Sequence, residues 1–439
     1  MGGTARAHET LARWILASGM DLVFDLERSR GAYLYDSKHG REYLDFFGFF
    51  AARPLGFNHE GLKEPEFLER LAQAAQIKPS NCDVYTEEYA TFVDTFASIP
   101  LGGSFAHVFF IDGGALGVEN AMKTAFDWKH RKNIEAGRGE KGSRILHFRQ
   151  AFHGRSGYTM SVTDSPDPRK TMYFPKFDWP RVSNPKMTFP FDDEAQAKTI
   201  AAEKDSLAEI DDAFDRYDND IAAILIEPIQ GEGGDNYFRS EFLQALRRTC
   251  DEREALLIFD EVQTGFAATG SWWDWQNHGM QPDLMCFGKK TQVCGFAAAS
   301  RVDEIDSVFK VPSRISSTFE GNLADMVRCT QIIRIIERDG LLTNAETMGT
   351  YMLKLLHELA DTYEQVSNVR GRGLWAAFDL PSTDERDRVV DACFEERLIV
   401  LPCGTQSVRM RPSLDIDADS IARAIAQAEA GLKRAYQKN

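Results

Sequence analysis

Two short apolar segments, each followed by a reactive side chain, constrain the fold of this chain of 439 residues most strongly. Residues 255–259 (ALLIF) precede Asp260, and residues 284–287 (LMCF) lead through Gly288 to Lys289 and Lys290. Each segment is typical of a buried parallel strand, because it is short, continuously apolar and bounded by polar residues or glycine. Ligands of open α/β sheets bind beyond the carboxyl ends of such strands, so we expect a carboxylate and an amine to meet there.

A long middle segment, from about residue 61 to 325, alternates predicted strands with predicted helices. This alternation indicates an α/β fold built on a parallel sheet, so we predict that residues 61–325 form a large cofactor-binding domain. Each predicted strand is a short apolar run bounded by turn residues. The candidate strands are residues 107–112, 144–149, 221–226, 255–260, 284–288 and 294–299.

The two ends of the chain have a different pattern and are predicted to pack together as a smaller α+β domain. Residues 1–60, its N-terminal part, contain a short helix and then a hairpin around the turn signal at 36–40. Residues 326–439, its C-terminal part, begin with a strongly helical stretch that runs to about residue 362. They end with an amphipathic helix whose apolar positions include Ile421 and Ile425. The strands predicted between these helices cover residues 369–380, 398–401 and 407–411.

Composition bounds the possible partners and the compartment. The formal net charge of −16 argues against a nucleic-acid partner. The seven cysteines are scattered, odd in number and without a C-x-x-C pair, which favours reduced thiols in the cytoplasm and gives no sign of a metal site. No apolar stretch approaches the length that spans a bilayer, so no membrane association is expected.

Two further strands end in residues that are suited to bind an anion or a planar ring. The run Gly113-Gly114-Ala115 follows strand 107–112 and opens a helix, where backbone N–H groups and the helix dipole favour a phosphate. Taken alone, such a run is more often only a turn. Strand 144–149 leads to Phe152, which could stack on a ring, and to Arg155, which could bind a carboxylate. The alternatives are a core phenylalanine and a solvated arginine.

Asp260 and Lys289 together match the needs of pyridoxal 5′-phosphate. A lysine forms a Schiff base with the cofactor aldehyde, and an acid keeps the pyridine nitrogen protonated, so that the ring accepts electrons. The freed amine could then move a proton on the substrate. We favour Lys289 over Lys290 because neighbouring side chains on a strand point to opposite faces. Lys290 is then either a cation that lowers the pKa of Lys289 or an unrelated surface residue.

Competing interpretations of these motifs are weaker. The segment before Asp260 also resembles the metal-binding strand of a P-loop ATPase, but no G-x-x-x-x-G-K-[ST] precedes it. Alone, Asp260 could be a helix cap or a turn residue. The glycine loop at 231–234 has Asn236 where the dinucleotide pattern needs glycine, and the G-x-G-x-x-A match at 371–376 precedes a predicted strand rather than a helix.

The chain resembles the class III pyridoxal-phosphate aminotransferases over nearly its whole length. The motifs that carry the resemblance occur in the family's order: Gly113-Gly114-Ala115, Phe152-His153-Gly154, Glu227-Pro228, Asp260 to Gly265 (DEVQTG), Gly288-Lys289 and Ser317-Thr318. The resemblance implies a fold type I transferase with a mainly parallel seven-stranded sheet and a homodimer with a shared active site. One departure is Glu320-Gly321-Asn322, where the family usually has Gly-Gly-Asn, and it bears on the geometry of that loop.

The resemblance also implies roles for single residues. Around the cofactor ring these are Asp260, Lys289, Phe152 for stacking and Gln263 for the ring hydroxyl. Around its phosphate they are Gly114, Ala115 and, from the partner subunit, Thr318 with Ser317. Arg155 would bind the substrate carboxylate far from the reacting carbon, and Arg411 would bind the α-carboxylate of 2-oxoglutarate.

Three stretches are similar to the branch of the family that acts on the ε-amino group of L-lysine: 151–159 (AFHGRSGYT), 287–295 (FGKKTQVCG) and 311–318 (VPSRISST). This similarity implies transfer of that amino group to 2-oxoglutarate. The products would be L-glutamate and 2-aminoadipate 6-semialdehyde, which cyclises to a piperideine carboxylate. The alternatives are another ω-aminotransferase, with ornithine, 4-aminobutyrate or a diamine as donor, and a different pyridoxal-phosphate reaction such as that of an aminomutase or a decarboxylase.

The two substrates differ at the reacting carbon, because glutamate carries a carboxylate there and L-lysine does not. In the lysine half-reaction Arg411 would therefore be a poorly compensated charge. We hypothesise that Glu232 pairs with Arg411 in that half-reaction and swings away for 2-oxoglutarate. The motive is the position of Glu232 in a loop flanked by glycines, which we expect to be flexible.

Overall fold

A computed structural model describes residues 6–437, so the first five and the last two residues of the predicted small domain lie outside the described residues. The strands are β1 (Tyr33–Asp36), β2 (Arg41–Asp45), β3 (His107–Ile111), β4 (Arg144–Phe148), β5 (Arg181–Val182), β6 (Ile221–Ile226), β7 (Ile229–Gln230), β8 (Asn236–Tyr237), β9 (Leu256–Asp260), β10 (Leu284–Phe287), β11 (Cys294–Ala298), β12 (Ser367–Arg372), β13 (Trp375–Asp379), β14 (Leu398–Ile399), β15 (Leu401–Cys403) and β16 (Ser407–Met410).

The helices are α1 (Ala7–Ala12), α2 (Gly48–Ala51), α3 (Pro65–Gln76), α4 (Glu87–Ser98), α5 (Gly114–Glu135), α6 (Gly157–Val162), α7 (Asp193–Arg216), α8 (Ser240–Glu252), α9 (Leu323–Arg338), α10 (Leu341–Thr362), α11 (Thr383–Glu395) and α12 (Ala418–Gln437). Of these, α2 is a left-handed turn, because all four of its residues have positive φ. Short 3₁₀ helices cover Glu60–Leu62, Pro168–Lys170, Asp274–His278, Lys289–Thr291 and Ser300–Glu304. Between residues 6 and 437, no helix is both long and apolar enough to cross a bilayer.

The centre of the molecule is a seven-stranded sheet with the order β3-β11-β10-β9-β6-β4-β5. All its strands run parallel except β11, which is antiparallel to both of its neighbours. This confirms the predicted mainly parallel seven-stranded sheet, including all six strands predicted from apolar runs. The seventh, β5, has only two residues and gave no such signal.

The sheet is buried on both faces, which explains why its strands are apolar without alternation. Every residue of β6, β9 and β10 is buried. On one face α5 contributes a fully buried row, and on the other α8 buries Phe242 and Leu246. The row on α5 consists of Val118, Met122 and Ala125, as its helical spacing predicts.

The two ends of the chain meet in smaller sheets. β2 pairs in parallel with β14, with Leu44 opposite Leu398, so the predicted N-terminal hairpin shares a sheet with the C-terminal region. The predicted strand 369–380 is two antiparallel strands, β12 and β13, which form a four-stranded sheet with β16 and β15. The helical region after residue 326 is divided at Gly340, which has a φ of +63°. The division of the chain into domains at residues 60 and 325 stays a prediction.

Candidate active site

Asp260 lies at the carboxyl end of β9 and is 5% exposed. Its Oδ1 accepts a hydrogen bond of 3.0 Å from the N–H of Val262, and its Oδ2 lies 2.8 Å from Nδ1 of His153. His153 follows β4, and its Nε2 is buried and has no hydrogen-bond partner among residues 6–437. The sequence placed His153 in a motif but gave it no role. The structure makes it the side chain that holds the carboxylate of Asp260.

Lys289 follows β10, the neighbour of β9, and is half-buried with a φ of +54°. Burial and the guanidinium of Arg409 lower the pKa of the Lys289 amine to about 8. A share of the amine is therefore neutral near physiological pH. The Asp260 carboxylate opposes this shift, which indicates that the two predicted catalytic groups interact electrostatically across adjacent strands.

Lys290 is not a surface residue, and the cation with the largest effect on the pKa of Lys289 is Arg409. Lys290 is 3% exposed, and its Nζ donates to the backbone carbonyls of Gln263, at 2.7 Å, and Ala51, at 3.2 Å. Burial, with the nearby cations Lys289 and Arg411, holds its pKa well below the usual lysine value. The choice of Lys289 over Lys290 agrees with this geometry, although the lysines lie in a 3₁₀ turn beyond the strand, where strand alternation does not apply.

The first turn of α5 lies beside the loop that carries Lys289. Gly114 opens the helix, and a Cβ at this position would lie 2.9 Å from Cγ1 of Val262. The same valine methyl would be 3.3 Å from a Cβ at Gly288. A Cβ on Gly154 would be 2.5 Å from the Cβ of Ala115, so the loop after β4 also packs closely here. The first N–H groups of a helix have no partner within the helix, so those of Gly114 and Ala115 suit a phosphate bound in this narrow space.

A cavity of about 880 Å³ opens over these groups. Its lining includes Phe152, Arg155, Glu232, Gln263, Lys289 and Arg409. Of the predicted side chains around the cofactor ring and substrate, the structure therefore brings Phe152, Gln263, Lys289, Arg155 and Glu232 to one space. Arg155 is exposed and also lines the adjoining cavity, as expected for a residue at the distant end of a substrate.

The prediction that Arg411 binds the substrate α-carboxylate is wrong. Arg411 is 4% exposed, its Nη2 lies 2.6 and 2.5 Å from the two carboxylate oxygens of Asp235, and its guanidinium stacks 3.6 Å from the centre of the Trp375 ring. These contacts fix Arg411 in the core between β13 and the glycine loop. Of the two arginines it is Arg409 that lines the cavity, and among the described residues its one side-chain hydrogen bond is the donation from Nη1 to Oε1 of Gln263, at 3.2 Å.

The glycine loop around Glu232 is tightly packed rather than flexible. This corrects the reason given for the hypothesis that Glu232 moves between two positions, a movement called the Glu232 gate below. A Cβ at Gly233 would lie 2.0 Å from the carbonyl oxygen of Gln150, and one at Gly231 would lie 2.7 Å from Oε1 of Gln263. The carbonyl of Glu232 accepts a hydrogen bond of 2.8 Å from the N–H of Gly404. Within this loop, the side chain of Glu232 is therefore the part that can change partners. Arg411 is not available to it, because Arg411 is already paired with Asp235.

Glu227 is a buried acid beside the cavity loops to which the sequence gave no role. Its two carboxylate oxygens accept hydrogen bonds from the N–H groups of Phe152, at 2.8 Å, and Gly231, at 3.0 Å. Burial raises the pKa of Glu227 to about 7. The residue joins the loop that carries the predicted stacking ring to the loop that carries Glu232. The signal in the sequence was its position at the end of β6, the same position that Asp260 has on β9.

Ser317 and Thr318 lie outside the cavity of their own chain. Thr318 is exposed, and the hydroxyl of Ser317 accepts a hydrogen bond of 3.1 Å from the N–H of Glu320. In the departing segment, Glu320 has a φ of +47°, and Asn322 caps α9 by accepting from the N–H of Ala324. The segment thus keeps a helix cap despite the glutamate.

The residues present fit the cofactor that the resemblance implies. A half-buried amine with a lowered pKa and an aromatic side chain line one space, and a buried carboxylate held by a histidine acts electrostatically on that amine. A helix that opens with glycine packs through Val262 beside the loop that carries the amine. This donor set matches a protonated pyridine nitrogen, an aldehyde, a planar ring and a phosphate.

Comparisons with known proteins give consistent results. The family model described as aminotransferase class-III matches residues 15–431. The L-lysine-epsilon aminotransferase of Mycobacterium tuberculosis is 49% identical over 431 residues, which cover 97% of this chain and 95% of that protein. A probable mitochondrial 4-aminobutyrate aminotransferase of Caenorhabditis elegans is 33% identical over 89% of this chain and 83% of that protein. The solved structure of the M. tuberculosis lysine aminotransferase has a TM-score of 0.96 at 48% identity and covers 98% of this chain and 99% of its own.

Proposed function

The chain belongs to the class III aminotransferase family, and from this premise we infer that it transfers the ε-amino group of L-lysine to 2-oxoglutarate. The products are L-glutamate and 2-aminoadipate 6-semialdehyde, which cyclises to a piperideine carboxylate. The observation that supports the reaction class is that Lys289 and Arg409 line one cavity, while Asp260, at the end of the neighbouring strand β9, acts electrostatically on the Lys289 amine. The relatives support this donor, since identity is 49% with an L-lysine-epsilon aminotransferase and 33% with a probable 4-aminobutyrate aminotransferase.

Pyridoxal 5′-phosphate, when bound, supplies an aldehyde that combines with amines and a ring that accepts electrons from the adjacent carbon. Asp260 holds the proton of the pyridine nitrogen, and His153 keeps its carboxylate in place. Phe152 stacks on the ring and Gln263 binds its hydroxyl. Gly114 and Ala115 bind the phosphate through backbone N–H groups at the start of α5.

Lys289 is the residue that anchors the cofactor and moves a proton at the reacting carbon. Both tasks need the neutral amine, because an ammonium group has no lone pair. Burial and Arg409 bring its pKa down to about 8, so the chain itself supplies the neutral form without a separate base.

Arg409, in place of Arg411, binds the α-carboxylate of 2-oxoglutarate, and Arg155 binds its distant carboxylate. L-Lysine has no carboxylate beside its reacting carbon, so Arg409 needs another anion in that half-reaction. Three acids line the same cavity, and Asp167 and Asp387 are paired with the neighbouring arginines Arg169 and Arg386, so Glu232 is the acid to which we assign this role. We therefore propose that Glu232 pairs with Arg409, and not with Arg411, in the lysine half-reaction and moves away when 2-oxoglutarate binds.

The site is proposed to be shared between two subunits of a homodimer, with Ser317 and Thr318 completing the phosphate site of the partner. Support comes from large apolar side chains that are strongly exposed in the single chain, among them Tyr173 at 93% and Tyr85 at 76%. The acidic net charge supports small-molecule substrates rather than nucleic acid. The seven cysteines, all free, support a reducing compartment such as the cytoplasm.

A donor comparison tests the function. Purified holoenzyme is incubated with 2-oxoglutarate and L-lysine, ornithine, 4-aminobutyrate or a diamine, and L-glutamate and the carbonyl product are identified by mass spectrometry. We expect the highest kcat/KM for L-lysine and a product derived from its ε-carbon. A higher kcat/KM for another donor would replace the substrate assignment. Amine turnover without glutamate would point to an aminomutase or a decarboxylase.

A further inference from the structure

Glu232 is held by a cation that none of the assignments above uses. Its Oε1 forms an ion pair with Nζ of Lys170 and accepts a hydrogen bond of 2.9 Å from the hydroxyl of Ser165. Lys170 ends the 3₁₀ turn Pro168–Lys170, and its side chain is 31% exposed, against 15% for Glu232. In this structure the gating carboxylate is therefore placed on Lys170 and not on Arg409.

Glu232 is paired with Lys170, but both Glu232 and Arg409 keep a buried polar atom that could pair differently. Its Oε2 is buried without a hydrogen-bond partner among residues 6–437, and Nε of Arg409 is buried in the same condition. Among the described residues, Arg409 has one side-chain hydrogen bond, to the neutral amide of Gln263, and no ion pair. Of the three carboxylates that line the cavity, Asp167 pairs with Arg169 and Asp387 pairs with Arg386, whereas Glu232 pairs with Lys170. The carboxylate of Glu232 can compensate either Lys170 or Arg409, but not both fully at the same time.

We propose that Lys170 is a specificity-determining positioning residue, which holds Glu232 away from Arg409 so that the α-carboxylate of the keto acid can bind. The proposal rests on the function proposed above and adds the second partner that the gate requires. Without such a partner, Glu232 would remain paired with Arg409 and compete with every incoming carboxylate. Nζ of Lys170 also lies 5.9 Å from the centre of the Phe152 ring, and Lys170 lines the same cavity as Glu232 and Arg409.

The test is the variant Lys170→Met in the holoenzyme, measured in the two half-reactions separately. We expect the affinity for 2-oxoglutarate, and for the unreactive dicarboxylate glutarate by calorimetry, to fall about fivefold, the change that corresponds to ~1 kcal/mol. The affinity for L-lysine is expected to stay the same or to rise. Lys170→Arg should restore dicarboxylate binding, because it keeps the ion pair. Lys176→Met, which removes an exposed lysine of the same loop that bonds only to the Thr171 carbonyl, is the matched control.

A double-mutant cycle with Glu232→Gln separates the proposal from direct binding of substrate by Lys170. Without the carboxylate, Lys170→Met should no longer change glutarate affinity. An equal loss in the Glu232→Gln background would overturn the proposal, as would unchanged affinity in Lys170→Met alone. If the wild-type enzyme forms no glutamate from 2-oxoglutarate with any amine donor, the proposed function itself fails, and that outcome is distinct from either result.

Discussion

The positive charge of Arg409 lowers the pKa of the Lys289 amine, and this effect can be measured as a dependence on pH. Because burial and Arg409 lower the pKa of Lys289 to about 8, the amine is largely protonated below that pH and largely neutral above it. The rate at which the apoprotein attaches pyridoxal phosphate should therefore rise with pH and level off above about 8. Arg409→Met removes a positive charge, raises the pKa of Lys289 and should move this rise upward by about one pH unit.

The measurement is the growth of absorbance near the visible edge after cofactor is added to apoprotein over a series of pH values. Lys176→Met is the control, because it removes an exposed cation that does not contribute to the shift at Lys289. The same pH midpoint in Arg409→Met and in the control would contradict the electrostatic role of Arg409.

We expect Arg409 to contribute mainly to dicarboxylate binding and Arg411 mainly to the stability of the fold. Arg411→Met leaves the buried carboxylate of Asp235 unpaired, so the free energy of unfolding should fall by about 3–5 kcal/mol. Arg409→Met loses only a contact with a neutral amide, so its loss should stay near 1 kcal/mol while glutarate binding weakens strongly. Urea unfolding and calorimetry check both expectations.

The double variant Asp235→Asn/Arg411→Met serves as the control for this comparison. It removes both charges and should be less destabilised than Arg411→Met alone. An Arg411→Met protein with wild-type stability and no dicarboxylate binding would restore the role first predicted for Arg411.

These two arginines mark the limit of what the sequence could predict at this scale. Asp260 and Lys289 were identifiable because each follows an apolar strand, and parallel strand ends meet at one edge. Arg409 and Arg411 are two residues apart, so strand alternation places them on the same face. β16 ends at Met410, and the direction of the chain after that point depends on Asp235 and Trp375, which are distant in sequence.

At the scale of elements, the left-handed turn α2 is held to the active site by Lys290. A non-glycine residue in this conformation costs about 1–2 kcal/mol, so three of them in a row need outside support. Asp45 accepts the N–H groups of Phe47 and Gly48 at the start of the turn, and Lys290 donates to the carbonyl of Ala51 at its end. The turn places Phe50 in the lining of the cavity.

Lys290→Met should loosen this turn, because it leaves the carbonyls of Ala51 and Gln263 buried without a donor. We expect the free energy of unfolding to fall by about 1–3 kcal/mol. Hydrogen exchange should accelerate at Ala52 and Arg53, whose N–H groups bond back into the turn. Lys63→Met, at an exposed lysine paired with Glu60, is the control. Unchanged exchange in Lys290→Met would show that the turn does not depend on this lysine.

Elements with continuous apolar runs were predicted well, whereas elements set by long-range contacts were not. The six strands of the large sheet were predicted because two-sided burial leaves a continuous apolar run in each. The two-residue strands β5, β7 and β8 have too few residues for a pattern. The turn α2 has two phenylalanines in a conformation that usually favours glycine, so local sequence could not predict it.

At the scale of the whole molecule, the candidate site of one chain lacks two of its predicted phosphate ligands, Ser317 and Thr318. Ser317 and Thr318 lie outside the cavity that contains Lys289, and Thr318 is exposed. The homodimer proposed above explains this arrangement, since Thr318 would then act in the partner's site. The same surface carries Phe319, an exposed aromatic side chain over which Nζ of Lys78 lies 4.1 Å from the ring centre.

Hybrid dimers of Lys289→Ala and Thr318→Ala subunits can decide whether Thr318 acts across the interface. Thr318→Ala alone should weaken pyridoxal-phosphate binding about tenfold, because it removes a hydrogen bond to a charged group. In a hybrid, one site has both substitutions and the other has neither if Thr318 acts in the partner's site. Fluorescence titration should then find half of the sites with wild-type affinity. If Thr318 acts within its own chain, every site of the hybrid carries one substitution and no wild-type affinity returns.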